Sequence, residues 1–167
     1  MFKGCTSLVT APELPATTLA NNCCINMFQG CTSLTSAPTI LPATTLTQSC
    51  YQSMFEGCTS LVTAPELLAT TLGENCCQSM FHGCTSLTTA PELLANRLTK
   101  YCYSGMFHGC TSLNYIKCLA TNISARGCTS DWVQNVAASG TFVKNASMSS
   151  WTTGAHGIPT GWTVQDA

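Results

Sequence analysis

Residues 17–30 read "TTLANNCCINMFQG", and the way this stretch folds decides the architecture of the whole chain. Leu19, Cys23 and Met27 fall four apart, and Cys24 and Phe28 form a second row at the same spacing. Apolar rows at i and i+4 are one face of a helix of roughly three turns. Gly30 follows where a left-handed C-terminal cap is expected, as do Gly57, Gly83 and Gly109 further on. Thr17, Thr44, Thr70 and Asn96 share a column, and each can cap an N-terminal amide. Arg97 stands in the next column, with Thr18, Thr45 and Thr71. Arginine is a poor cap, which favours the first column as the helix start.

Those columns exist because the chain repeats itself. The phrase "MFKGCTSL" at 1–8 returns with only its third letter changed, and its Met recurs at Met1, Met27, Met54, Met80 and Met106. The step between them is constant but for one, from Met27 to Met54, which absorbs an extra residue in "APTILPATTL" at 37–46. A period of this length is the mark of an array whose units bury their apolar faces on one another. The glycine is followed by "CTSLVTAPEL", which predicts a short strand around 8–12, with equivalents at 34–38, 61–65, 87–91 and 113–118. A strand and a helix per unit predict an α/β repeat solenoid of the leucine-rich-repeat type, about 26 residues per coil, with a small C-terminal cap. Leu8, Leu34, Leu61, Leu87 and Leu113 would stack in its core, beside Phe28, Phe55, Phe81 and Phe107.

The pattern L-x-x-A-P-x-L, followed by a segment ending in M-F-x-G-C-x-x-L, resembles the BspA-like leucine-rich repeats of bacterial surface proteins. The resemblance covers residues 1 to about 127 and is closest in the last unit, "LNYIKCLATNI". The repeat unit of this chain is longer than the family's, and in the first copy Ala11 and Glu13 stand where the family carries inward isoleucines. The resemblance implies display on a bacterial cell surface or outside the cell, and adhesion to a host or neighbouring-cell protein or glycan.

Composition narrows the function classes. Lys+Arg number 6 against 7 Asp+Glu, and only 8% of residues are charged, too few cations to track a phosphate backbone, so no nucleic-acid partner is expected. No apolar run approaches the length of a membrane span, so no membrane insertion is expected either. Met1 falls inside a repeat unit and no secretory leader precedes it, which predicts an array incomplete at its N-terminus.

Thirteen cysteines leave at least one thiol outside any intrachain pairing. Cys5, Cys31, Cys58, Cys84 and Cys110 form one column, and Cys23, Cys50, Cys76 and Cys102 another. Reduced side chains packed in a tight seam are the favoured reading, with scattered disulfides as an alternative. A zinc site is the third option, weakened because no C-x-x-C occurs. Neither metal nor cofactor is assigned.

The variable third letter, Lys3, Gln29, Glu56, His82 and His108, reads as a solvated column rather than a two-histidine metal perch. Glu13, Glu66 and Glu92, with Thr39 aligned, form an acidic stripe whose members share similar environments. Paired catalytic carboxylates need contrasting ones. No nucleophile elbow, P-loop or dinucleotide fingerprint occurs, so no catalytic residue is assigned and the chain is read as non-enzymatic. Columns of Val9, Thr35, Val62 and Thr88 and of Thr10, Ser36, Thr63 and Thr89 are monotonous. Asn114, Tyr115 and Lys117 break them and are the first candidates for ligand binding, since specific recognition needs varied anchors.

Beyond 1–127, residues 128–167 are read as a capping segment. "CTSDWVQNVAASG" predicts one helix, started by Thr129 or Ser130, and "TFVKN" and "GWTVQD" predict short strands. Trp132, Trp151 and Trp162 would close the open end of the array. Trp151 and Trp162 are also candidates for an aromatic platform for sugar rings. The expected function is a surface-displayed interaction or adhesion module, with a structural spacer presenting another domain as the rival.

Overall fold

A computed structural model describes residues 1–167, and it contains no helix. The cause lies in the stretch that decides the fold. Asn22, Asn26 and Gly30 have φ of 61°, 55° and 74°. Ser49, Ser53 and Gly57 repeat that pattern, as do Asn75, Ser79 and Gly83, then Tyr101, Gly105 and Gly109. A left-handed residue at every fourth position is incompatible with an α-helix, in which every φ lies near −63°. The chain instead makes a succession of tight turns, each four residues long, and this reproduces the i, i+4 side-chain rows that read as a helix.

The hydrogen bonds follow the turns. Amides alternate between two kinds of partner. Met54, Glu56 and Cys58 donate to the carbonyls three residues earlier, at 3.2, 3.3 and 3.0 Å. Between them Tyr51, Ser53, Phe55 and Gly57 donate to Cys76, Gln78, Met80 and His82 of the next copy, at 2.8–2.9 Å. Half of the backbone in this segment is therefore bonded between copies, as in a sheet. The expected α/β leucine-rich-repeat solenoid is overturned: the chain is a small all-β fold with two small parallel sheets of short strands.

Strand β1 (Ile40–Leu41) pairs with β2 (Glu66–Leu67) in parallel. The other sheet has the order β3 (Tyr115–Cys118), β4 (Thr141–Lys144), β5 (Thr163–Asp166), also parallel throughout. Of the five strands expected in the repeats, four shrink to single bridges, Thr10 to Ser36, Ser36 to Thr63 and Thr63 to Thr89, with Thr89 bridging on to Tyr115. Two residues on stand Pro12, Pro38, Pro65 and Pro91, which have no N–H to extend a ladder. Lys117 occupies that position in the last unit, and there the ladder lengthens into β3. The extra residue of the second copy moves the register: Ile40, not Thr39, lies opposite Glu66.

Copies register through their cores. Phe2, Phe28, Phe55, Phe81 and Phe107 stack with ring centroids 5.4–5.8 Å apart and planes within 8° of parallel. Leu34, Leu61, Leu87 and Leu113 are fully buried beside them, and Leu8 is half-buried. The helix expected after Cys128 is also absent. Gly127, Asp131 and Asn135 continue the left-handed pattern, and Tyr103, Phe107 and Gly109 donate to Cys128, Trp132 and Gln134. Trp132 thus takes the place of a phenylalanine and stacks on Trp151 at 5.6 Å. No helix is long and apolar enough to cross a membrane.

Candidate functional site

The cysteine of the repeated phrase has a definite role. Each Sγ donates to the carbonyl of the phenylalanine in the preceding copy: Cys31 to Phe2, Cys58 to Phe28, Cys84 to Phe55 and Cys110 to Phe81, at 3.0–3.1 Å. All four are fully buried. Burial pushes the thiols of Cys58 and Cys110 up to about 12, far from the thiolate needed of a nucleophile or metal ligand. All thirteen cysteines are free thiols, and no three His, Cys, Asp or Glu side chains are grouped to hold a metal ion. At the opposite end from the cap, the Cys23 and Cys24 sulfurs lie 3.5 Å apart, with Cys23 exposed.

The variable third-letter column is partly solvated, with Lys3 exposed. Gln29, Glu56, His82 and His108 are half-buried, with His82 Nδ1 3.6 Å from Glu56 and its ring edge-on to His108 at 4.9 Å. The acids are spread along the repeats, Glu13 two copies from Glu66 and Glu66 one copy from Glu92. Glu13 accepts from the backbone N–H and hydroxyl of Thr39, Glu66 is exposed, and Glu92 lies 3.1 Å from Lys117 Nζ.

The proline bends leave an open groove of about 410 Å³, walled by Ala64, Pro65, Glu66, Ala90, Pro91 and Glu92. It runs into a second of about 380 Å³, which shares Ala64 and Glu66. Strand β3 flanks the first. Ala90 and Leu93 donate to the carbonyls of Tyr115 and Lys117, both at 3.0 Å, and Lys117 reaches the wall at Glu92. Asn114 is exposed, and Tyr115 is half-exposed in a column otherwise made of hydroxyl residues. The structure therefore sets β3 beside a groove that was not legible in the sequence; Asn114, Tyr115 and Lys117 do not line it, and Lys117 reaches it through Glu92. The signal for it was present in the repeated A-P-E, because a proline two residues past a bridge forces the strand to turn away.

The two tryptophan candidates lie elsewhere. Trp162 is 7% exposed and its Nε1 donates to the Ala137 carbonyl at 2.8 Å. Trp151 is half-buried against Trp132, and its Nε1 is buried without a partner. Neither presents a free ring face beside the groove. They pack the C-terminal end.

No family model, no curated protein and no solved structure matches this chain. The likeness to the BspA-like repeats rests on the quoted residues alone.

Proposed function

We propose that this chain is a non-enzymatic interaction module, displayed outside the cell or on a bacterial surface, that binds a host or neighbouring-cell protein or glycan. The observation that carries the reading is the groove along the proline bends, with strand β3 beside it joined to its wall by the Lys117–Glu92 pair. It combines apolar walls with exposed carboxylates at Glu66 and Glu92, and the neighbouring strand β3 supplies Tyr115 and Lys117, the mixture that specific recognition surfaces use. Glu66 and Glu92 are both exposed, Glu92 paired with Lys117, which suits hydrogen bonding to a ligand better than proton transfer.

A second reading, a stiff spacer that presents another domain, is favoured by the unbroken rung-to-rung bonding over every copy of the repeat. Direct binding to a panel of matrix proteins, mucins and glycans separates the two. The adhesive reading expects saturable binding that falls at least tenfold in Tyr115→Ala/Lys117→Ala and in Glu66→Ala, with the circular dichroism unchanged. Absence of binding throughout the panel leaves the spacer.

A further inference from the structure

The third letter of the repeated phrase starts a column that runs Lys3, Gln29, Glu56, His82, His108 and, one period past the last phrase, Gln134. Two of the chain's 3 histidines therefore stand on adjacent rungs. Backbone bonds fix that adjacency. Gly57 N–H donates to the His82 carbonyl, Gly83 N–H to His108 and Gly109 N–H to Gln134, each at 2.8 Å. Both histidines thus belong to interior rungs, with a bonded copy before and after, so their exposure is lateral and owes nothing to either end of the stack. Each is half-buried, and the two ring centroids lie 4.9 Å apart with planes at 89°. On the rung before, Glu56 Oε1 faces His82 Nδ1 at 3.6 Å. The third histidine, His156, stands apart beside Asp131.

The separation of the two rings has a chemical meaning. An imidazole nitrogen binds a transition-metal ion at about 2.0–2.1 Å, which sets the ring centre about 3.2 Å from the ion. Two rings that share one ion, at an angle between a right angle and the tetrahedral value, then have centres about 4.5–5.2 Å apart. His82 and His108 fall inside that window, and perpendicular planes are open to two ligand rings. We propose that His82 and His108 form a two-histidine site for one divalent transition-metal ion of the nickel, copper or zinc class, which imidazole favours over magnesium or calcium. Glu56 acts from behind as a positioning residue. Its carboxylate favours the proton on His82 Nδ1 and so leaves the Nε2 lone pair for the ion. No third His, Cys, Asp or Glu side chain is placed to complete the set, so the remaining coordination positions fall to water. The site shares no residue with the proline groove and is independent of the reading built on it.

The test is a titration of the full, reduced chain with nickel ions, followed through the imidazole proton resonances. The expected result is that the His82 and His108 signals broaden together and are complete at one equivalent. His156 should respond only to an excess, which makes it an internal control. His82→Gln, at a half-buried site, should leave the circular dichroism unchanged and weaken nickel binding at His108 at least tenfold, because a single imidazole then holds the ion. His108→Gln should do the same at His82. Glu56→Gln should weaken binding by a smaller factor, with both histidines still responding together. Broadening of all three histidines in parallel overturns the proposal, as does binding at His108 that is indifferent to His82→Gln. So does nickel taken up by thiols alone, seen as near-ultraviolet charge-transfer absorption with the His82 and His108 signals unmoved.

Discussion

Cys84 shows why one cysteine recurs at a fixed place. Its side chain fits a seam with no exposed surface, and its S–H adds a bond to the Phe55 carbonyl, which also accepts from the Cys58 amide. Removing the sulfur leaves a small void and one bond fewer. Cys84→Ala is expected to cost about 1–2 kcal/mol in urea unfolding. The same burial sets a pH dependence. The Cys58, Cys110 and Cys118 thiols, ordinarily 9.0, are pushed up to about 12 by desolvation. Above 9 the unfolded chain has released protons that the native chain still holds, so stability must fall as pH rises. Urea midpoints should be level with respect to these thiols below about pH 9 and decline from there towards about 12. A midpoint unchanged to pH 11 would contradict the assignment of these thiols as buried and neutral.

At the scale of the element, the turn segment depends on residues that tolerate positive φ. Asn75 and Ser79 hold that conformation at 55° and 53° in the third copy. Asn75→Ala is expected to destabilise by about 1 kcal/mol, because a Cβ without a local polar partner is disfavoured in the left-handed region. Asn75→Gly should be close to neutral. Paired thermal melts of the two variants check this, and a helix in the same place would reverse their order, since alanine favours helix over glycine. The clue lay in the sequence. Asn22, Asn26 and Gly30, or Asn75, Ser79 and Gly83, recur at every fourth position, and all are weak helix formers. The apolar i, i+4 rows were legible, but they are common to a helix and to a run of four-residue turns. Only the column of Asn, Ser and Gly between them distinguishes the two.

Across the whole molecule, one aromatic column runs from Phe2 to Trp151, and Trp132 is the joint where the repeats meet the C-terminal strands. It is fully buried, contacts Phe107, Phe142 and Trp151, and donates to the Gly157 carbonyl. Trp132→Ala is expected to cost about 3–5 kcal/mol. Its effect should be directional: amide exchange should quicken first in β4 and β5 and last in the copies around Phe55. Uniform quickening would mean that the chain unfolds as one cooperative unit with no weaker end. The candidate site belongs to this scale as well. Asn114, Tyr115 and Lys117 stood out in the sequence because they interrupt monotonous columns, but the groove beside them is made by two prolines a full period apart, Pro65 and Pro91.

The period, the stacking of leucines, phenylalanines and cysteines one copy above another, and the short strands near 141 and 163 all followed from the residues alone. A repeated apolar residue has nowhere to be buried except on its own counterpart. Only in the folded chain does it emerge that the turn segments are not helices and that the prolines cut four strands to single bridges. Those outcomes depend on where each amide finds its acceptor. Here half of the acceptors in the turn segments lie in the next copy, a whole period further along the chain and beyond the reach of any local pattern.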